Sequence, residues 1–331
     1  MNNIIRILDA NINRVSEGLR VIEEITRFIL EDDCLFMAVK IIRHDFKSTV
    51  IGLKSGGIYS RNSMSDIGKS TYSSSERSRA GVLDILRSNA ARSEEGLRVL
   101  EEFSKISGSF LGKTFKSLRF RVYDVESKIS NAVSKQKKLD FDLYVVTQGD
   151  HIKACKSAID AKVKIIQLRD KAATRIEYYK YARQVAKICK KNKVTFIVND
   201  HADICVAVDA DGIHIGQEDL PVKVIRKILG PGKIIGVSTH SLRQAVDAQK
   251  NGADYISIGP VFETPSKPGW QGLGLKTVKA VLKKVNIPVV AIGGINEDNV
   301  KSVVDAGVKR AAVIRAVENA KKIRRVMNAK K

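Results

Sequence analysis

The chain has 331 residues, 44% apolar and 28% charged, with six prolines and four cysteines, a composition that excludes a disordered tail and a disulfide scaffold. No run of about 18 uncharged apolar residues occurs, and acids and bases run through residues 1–30, so neither a membrane span nor a signal peptide is expected and a cytoplasmic protein is the default. The net charge of +22 is uneven: residues 1–140 hold 24 Lys and Arg against 18 Asp and Glu, and residues 141–331 hold 34 against 18.

At about 150 residues per domain the length predicts two domains. Many of the lysines, such as Lys187, Lys190, Lys191 and Lys193, fall on outer helix faces, and aromatics make up only 6% of the chain. Nucleic acid is therefore not expected as a partner, since its binding needs aromatics interleaved with bases. The excess charge instead suits phosphorylated small molecules. Cys34, Cys155, Cys189 and Cys205 show no metal-ligand spacing and read as reduced core thiols.

Residues 1–135 show helical spacing throughout, as in Leu8, Ile12, Val15, Leu19, Ile22, Ile25 and Ile29. This half also repeats itself. Asn11, Arg14, Glu17, Gly18, Leu19, Arg20, Val21, Glu23 and Glu24 recur 78 positions later as Asn89, Arg92, Glu95, Gly96, Leu97, Arg98, Val99, Glu101 and Glu102. An all-α domain built from a duplicated helical hairpin follows. Glycine costs a helix about 1 kcal/mol, so its presence in both copies suggests two helices that approach closely. Between the copies, residues 52–81 are rich in Gly and Ser, and residues 136–140 complete a lysine-rich linker.

From residue 141 onward, apolar runs at 143–147, 164–168, 195–198, 212–215, 234–237, 255–258, 288–292 and 311–314 alternate with amphipathic stretches. Eight such units in residues 141–331 predict an α/β fold of the (β/α)8 TIM-barrel class, with an open doubly wound sheet as the competitor. No GxGxxG follows the first strand, which weakens the competitor.

Barrel chemistry sits at the carboxyl ends of the strands. There the sequence places Gln167, Arg169 and Lys171, then Asn199 and Asp200, then Asp219, then Ser238, then Thr264, Ser266 and Lys267, then Gly293 and Gly294, and lastly Ile314 and Arg315. Asp200 and Asp219 follow neighbouring strands and can share Mg2+, leaving most of its octahedron for water and phosphate oxygens. Two helix caps would be the bland alternative. Arg169, Lys171 and Lys267 add three cations, more than a monophosphate requires, so a diphosphate leaving group fits better. The Gly293-Gly294-Ile295-Asn296 turn is expected to open a helix whose N–H groups cradle a second phosphate.

The motifs QLRDK at 167–171, ND at 199–200, HIGQED at 214–219, VSTH at 237–240, GPVFETPSK at 259–267 and AIGGI at 291–295 resemble the thiamine phosphate synthase family over residues 141–317. The resemblance implies joining of hydroxymethylpyrimidine diphosphate to a thiazole phosphate with release of diphosphate and a need for Mg2+. It implies that Gln167, Arg169, Lys171, Asn199, Ser238 and Lys267 hold the pyrimidine diphosphate, with Arg169, Lys171, Ser238 and Lys267 serving catalysis. Asp200 and Asp219 would hold the metal, and Thr264, Ser266, Gly294, Ile314 and Arg315 the thiazole phosphate. Arg315 departs from the serine usual there. A thiazole tautomerase is the rival within this fold, opposed by the full set of diphosphate-binding residues.

Residues 6–130 resemble a helical family assigned as a hydroxymethylpyrimidine phosphate kinase, through residues 6–11, Arg14, 17–24, 66–68 and 95–102. That resemblance implies ATP as co-substrate. Arg14, Arg20, Arg92 and Arg98 would suit phosphates, with Glu17, Glu24, Glu95 and Glu102 for Mg2+ or the pyrimidine amine, Asn11 and Asn89 beside them, and residues 54–69 as a phosphate-covering loop. Two plainer readings compete: Glu/Arg pairing at i,i+3 and i,i+4 without function, and a noncatalytic dimerisation module that makes the protein a homo-oligomer. His44, beside Arg43 and Asp45, reads as a surface histidine, while His201, His214 and His240 fall near the barrel mouth.

Overall fold

The structure, a computed structural model, describes residues 2–51, 53, 79–106, 110–265 and 269–329. The loop expected at 54–69, and Ser266 and Lys267, lie outside the described residues. The chain divides into two compact units, Met1–Ser134 and Lys135–Lys331.

In the first unit, helix α1 (Asn2–Glu24) passes through a π-helical turn at Ile25–Ile29, and α2 (Asp33–Val50) follows. The Asp32 carboxylate caps α2 by accepting the Leu35 N–H at 2.9 Å. The second hairpin is α3 (Val82–Ile106) and α4 (Leu111–Lys138), and the last turn of α4 covers most of the lysine-rich run expected as a linker. Leu8, Ile12, Val15, Leu19 and Ile22 of α1 share one apolar core with Leu86, Leu97 and Leu100 of α3 and Phe115 and Val122 of α4.

The duplicated glycines explain how α1 and α3 pack. A Cβ on Gly18 would lie 2.6 Å from the Asn89 carbonyl oxygen and 2.3 Å from Ser93 Oγ, while one on Gly96 would lie 3.3 Å from the Asn11 carbonyl oxygen and 2.7 Å from Val15 Cγ2. Asn11 and Asn89 are repeat equivalents, as are Val15 and Ser93, so the crossing is reciprocal. Each copy lends its glycine to the backbone of the other.

The second unit is a closed barrel of parallel strands in sequence order: β1 (Leu143–Thr147), β2 (Ile165–Leu168), β3 (Thr195–Asn199), β4 (Gly212–Ile215), β5 (Ile234–Thr239), β6 (Tyr255–Ile258), β7 (Val289–Ile292) and β8 (Ala311–Val313). Pairing of Tyr144 with Ala312 and Val145 with Val313 closes the ring and rules out the open sheet. Helices α5 (His151–Asp160), α6 (Arg175–Asn192), α7 (Ala202–Ala207), α8 (Val222–Leu229), α9 (Leu242–Lys250), α10 (Gly274–Lys284), α11 (Val300–Asp305) and α12 (Ala320–Asn328) surround it.

Alternate strand residues serve two cores, as the period of two requires. Outward residues such as Val145, Ile166, Val198, Ile213, Val237 and Ile256 pack under the helices. Tyr144, Ile165, Ile197, Ile234, Tyr255, Val290 and Ala312 fill the interior. Burying each aliphatic side chain is worth about 1.5 to 3 kcal/mol. Cys155, Cys189 and Cys205 are buried as expected, but Cys34 is exposed, because it lies in the first turn of α2 next to the cap rather than on that helix's apolar stripe. Among the described residues, no helix is long and apolar enough to cross a membrane.

Candidate active site at the carboxyl ends of the strands

A cavity of about 700 Å³ opens at the carboxyl ends of the strands, lined by Gln167, Arg169, Lys171, Asn199, Asp200, Asp219, Ser238, Thr264, Gly294, Ile314 and Arg315 together. Local backbone explains how several of them reach it. Asp200 sits at φ 62° in a tight turn closed by the His201 N–H donating to the Asn199 carbonyl at 2.7 Å. Such a left-handed residue is strained, and short polar side chains tolerate it best. Asp219 lies four residues beyond β4, and the Gly216 N–H donates to its Oδ2 at 2.6 Å, turning the carboxylate back over the strand end.

The two carboxylates meet at the mouth, and Lys171 Nζ stands 4.0 Å from Asp200 Oδ2. Burial, followed by the charge and hydrogen bond of Asp219, raises the Asp200 pKa to about 6. Such a pair could hold a hard cation, which would remove their repulsion. Among the described residues, no group of three or more His, Cys, Asp and Glu is clustered for metal binding.

The loop carrying Arg169 and Lys171 is anchored by a residue that sequence reasoning missed. His151, buried in the first turn of α5, joins Thr147 Oγ1 at 2.9 Å through Nδ1 and Asp170 Oδ2 at 3.0 Å through Nε2. Asp170 also accepts the N–H groups of Ala172 and Ala173, at 2.9 and 3.1 Å. The hydrogen bond from His151 and those two N–H groups leave the Asp170 pKa below its ordinary value, against the opposing push of burial. Beneath it, Tyr178 on α6 donates to the Leu168 carbonyl at 2.6 Å and accepts the Asn199 N–H at 3.0 Å, tying the ends of β2 and β3 together.

On the opposite side, Gly293 and Gly294 take φ values of 100° and 68°. A Cβ on Gly294 would fall 2.7 Å from the Glu263 carbonyl oxygen, so glycine lets the loop after β6 close over that turn. The turn does not open a helix directly, which corrects the sequence expectation. Asn296 and Asn299 cap each other first, the Asn296 N–H giving to Asn299 Oδ1 at 2.9 Å and the Asn299 N–H to Asn296 Oδ1 at 3.1 Å, and α11 begins only at Val300. The N–H groups of Gly294 and Ile295, both on the cavity wall, take no acceptor among the described residues. Arg315 is exposed in a 3-10 turn on the same wall, with no ion pair among the described residues.

Residues 143–317 match the model of the family described as thiamine monophosphate synthase. The chain belongs to this family. Relatives named thiamine-phosphate synthase are similar along nearly the whole chain: that of Prochlorococcus marinus strain SARG is 40% identical, with 96% of this chain and 93% of the relative covered, and that of Synechocystis is 38% identical over 95% and 91%. The solved thiamine phosphate pyrophosphorylase of Pyrococcus furiosus is 34% identical with a TM-score of 0.53, covering 58% of this chain and 98% of that one. The activity is that of a thiamine-phosphate synthase, a transferase of thiamine biosynthesis. Residues 6–128 match the ThiD2 family.

In the ThiD2 unit the duplicated arginines are ion-paired. Arg20 binds Glu23 at 2.9 Å and Glu24 at 2.5 Å, and its equivalent Arg98 binds Glu101 at 2.9 Å and Glu102 at 3.0 Å. Glu23 and Glu101 are buried, and each receives a second guanidinium, from Arg43 and Arg119. These four partners went unnoticed in the sequence as a unit, though Glu23 and Glu101 stood inside the repeat. Asn11 and Asn89 each donate to the carbonyl four residues back, at 2.8 Å. Arg14 leans on Asn11 at 3.5 Å, Arg92 stands 3.8 Å from Glu17, and Glu95 and His44 are exposed.

The histidines of the synthase barrel divide. His201 packs edge-on against Tyr178 and meets Arg175 at 3.1 Å, whereas His240 joins the Gly259 carbonyl at 2.5 Å and lies against Trp270. His214 is buried, and desolvation lowers its pKa to about 4, so its ring is neutral. Its hydrogen bonds belong to a buried chain that motif reading did not reveal. Gln167 Nε2 donates to Tyr144 OH at 2.8 Å, and Tyr144 OH lies 2.9 Å from Tyr255 OH. Tyr255 OH meets His214 Nδ1 at 2.8 Å, and His214 Nε2 meets Ser238 Oγ at 2.9 Å. Burial raises the phenol pKa of both tyrosines, so they remain protonated.

Proposed function

We propose that the barrel condenses 4-amino-5-hydroxymethyl-2-methylpyrimidine diphosphate with a thiazole phosphate, releasing diphosphate. The observation that carries this reading is the meeting of Arg169, Lys171, Asp200 and Asp219 in one cavity whose far wall offers the Gly294 turn and Arg315. Departure of diphosphate from the pyrimidine methylene carbon builds negative charge on the leaving oxygens. Preorganised cations lower that barrier without a strong base. Arg169 and Lys171 supply them here, with Lys267 assigned the same role from its motif.

Asp200 and Asp219 fit Mg2+, since the neighbouring Asp219 raises the cost of ionising Asp200 and a bound cation would offset it. Bound there, Mg2+ would neutralise diphosphate charge. Asn199, Gln167 and Ser238 orient the pyrimidine, while Thr264, Ser266, the Gly294 and Ile295 amides, the Ile314 segment and Arg315 hold the thiazole phosphate. The C–O bond to diphosphate breaks, the aminopyrimidine delocalises the positive charge, and the thiazole nitrogen forms the new C–N bond to the same carbon. Holding the two reactants in register supplies much of the remaining acceleration.

For the helical unit the same reading assigns ATP-dependent phosphorylation of hydroxymethylpyrimidine phosphate, supported by the ThiD2 match. An assay of the full chain with the pyrimidine monophosphate, thiazole phosphate, ATP and Mg2+, beside one given the pyrimidine diphosphate without ATP, separates the two activities. Thiamine phosphate in both supports a two-step enzyme. Product from the diphosphate alone removes the kinase assignment, and product in neither overturns the synthase reading.

A further inference from the structure

The buried chain from Gln167 to Ser238 joins residues on β2, β1, β6, β4 and β5, and it exists because the strands are in register. His214, Gly236 and Tyr255 stand side by side on adjacent strands. Glycine in the middle leaves the space that the Tyr255 ring occupies, for a Cβ there would lie 2.1 Å from Tyr255 Cζ and 2.4 Å from its hydroxyl. Tyr255 therefore reaches across β5 to His214 on one side and to Tyr144 on the other.

Each link of this chain carries one proton, so its sense is set as a whole. With Gln167 Nε2 donating to Tyr144, the Tyr144 proton goes to Tyr255, the Tyr255 proton to His214 Nδ1, and the neutral imidazole carries its proton on Nε2 toward Ser238 Oγ. Ser257 Oγ lies 3.4 Å from the same Nε2 and can share it. The two free ends follow. Gln167 keeps its carbonyl Oε1, which takes no hydrogen bond from the described residues, and Ser238 keeps its own hydroxyl proton; both residues line the cavity.

We propose that Tyr144, Tyr255 and His214 are positioning residues that lock the hydrogen-bonding sense of Gln167 and Ser238 to each other, so that the cavity presents an acceptor from β2 and a donor from β5. This rests on the synthase reading of the cavity. A 4-aminopyrimidine offers the complement, an N–H donor beside ring-nitrogen acceptors. A 4-oxopyrimidine of the same shape offers a carbonyl acceptor beside a ring N–H, and reversing either end of the chain requires reversing all of it. The relay thus makes the barrel selective for the amino form of its pyrimidine. Sites built to hydrogen-bond one polar edge reject the mismatched edge by factors of about 10⁴, because the buried groups are left unpaired.

The test compares the full-length protein with its Tyr255→Phe and Tyr144→Phe variants, which keep ring volume and remove one proton from the chain. The kcat/KM for the 4-amino and 4-oxo pyrimidine diphosphates is measured at saturating thiazole phosphate, with thermal unfolding of each protein as the fold check. The expected result is strong preference for the amino substrate in the parent and a ratio reduced about tenfold or more in both variants, with KM for thiazole phosphate unchanged. An unchanged ratio in a folded Tyr144→Phe or Tyr255→Phe protein overturns the relay. Lack of turnover of the amino diphosphate by the parent overturns instead the synthase reading on which it rests.

Discussion

Gly236 and Tyr255 form a single packing unit: the tyrosine ring lies where a side chain on residue 236 would begin. Gly236→Ala should displace that ring from His214 and Tyr144. Overpacking of this kind costs about 1 to 3 kcal/mol. The expected outcome is a lowered melting temperature together with a loss of at least about tenfold in kcat/KM for the pyrimidine diphosphate. Equal activity in the variant would show that the ring can move without consequence.

Asp200 gives the barrel a pH dependence whose sign is fixed by the direction of its shift. Well below the unfolded value of 3.8 the carboxyl is protonated in both folded and unfolded chains, so it carries no penalty. As pH rises toward the folded value of about 6, the unfolded chain ionises first and stability is lost. Asp200→Asn removes this loss. In the presence of a chelator, the variant should be more stable than the parent by about 1 to 2 kcal/mol at pH 7.5, after allowing for solvent screening of a half-buried group, and no more stable at pH 3.5. Added Mg2+ should raise the melting temperature of the parent only, and synthase activity in the variant should fall by about 100-fold or more.

Replacing Arg315 with serine removes an exposed cation from the far wall of the cavity. A charge-assisted hydrogen bond is worth about 1.5 to 3 kcal/mol. Arg315→Ser should therefore raise KM for thiazole phosphate by about tenfold or more and leave kcat within about twofold. A fall in KM would mean that the guanidinium crowds the phosphate.

In the helical unit, alanine at Gly18 meets a backbone carbonyl at 2.6 Å, a contact that no side-chain rotation relieves. The gain in helix propensity, about 1 kcal/mol, is smaller than the strain of separating α1 from α3. Gly18→Ala should lower the unfolding midpoint of the full chain, and Ser93→Ala should restore only part of it. Full restoration would assign the clash to the Ser93 hydroxyl alone.

The strands were legible because parallel barrel strands are buried on both faces and read as unbroken apolar runs; residues 143–147, 212–215 and 255–258 coincide with β1, β4 and β6. At the mouth, residues such as Arg169 and Asp200 are visible from their place after a strand. Tyr144, His151 and Tyr255 are not, since each sits in or beside an apolar run and gains its partner only through register or a packed helix. The Gly293-Gly294 turn misled for a local reason: the Asn296 and Asn299 side chains compete for backbone N–H groups and delay the helix.

The seam between β1 and β8 brings together segments from opposite ends of the barrel sequence, Tyr144 beside Ala312. Tyr144 heads one side of that seam and Arg315 trails the other, and both line the cavity. Closing the ring therefore also completes the pocket lining, because its last strand brings Ala312, Ile314 and Arg315 to the cavity wall.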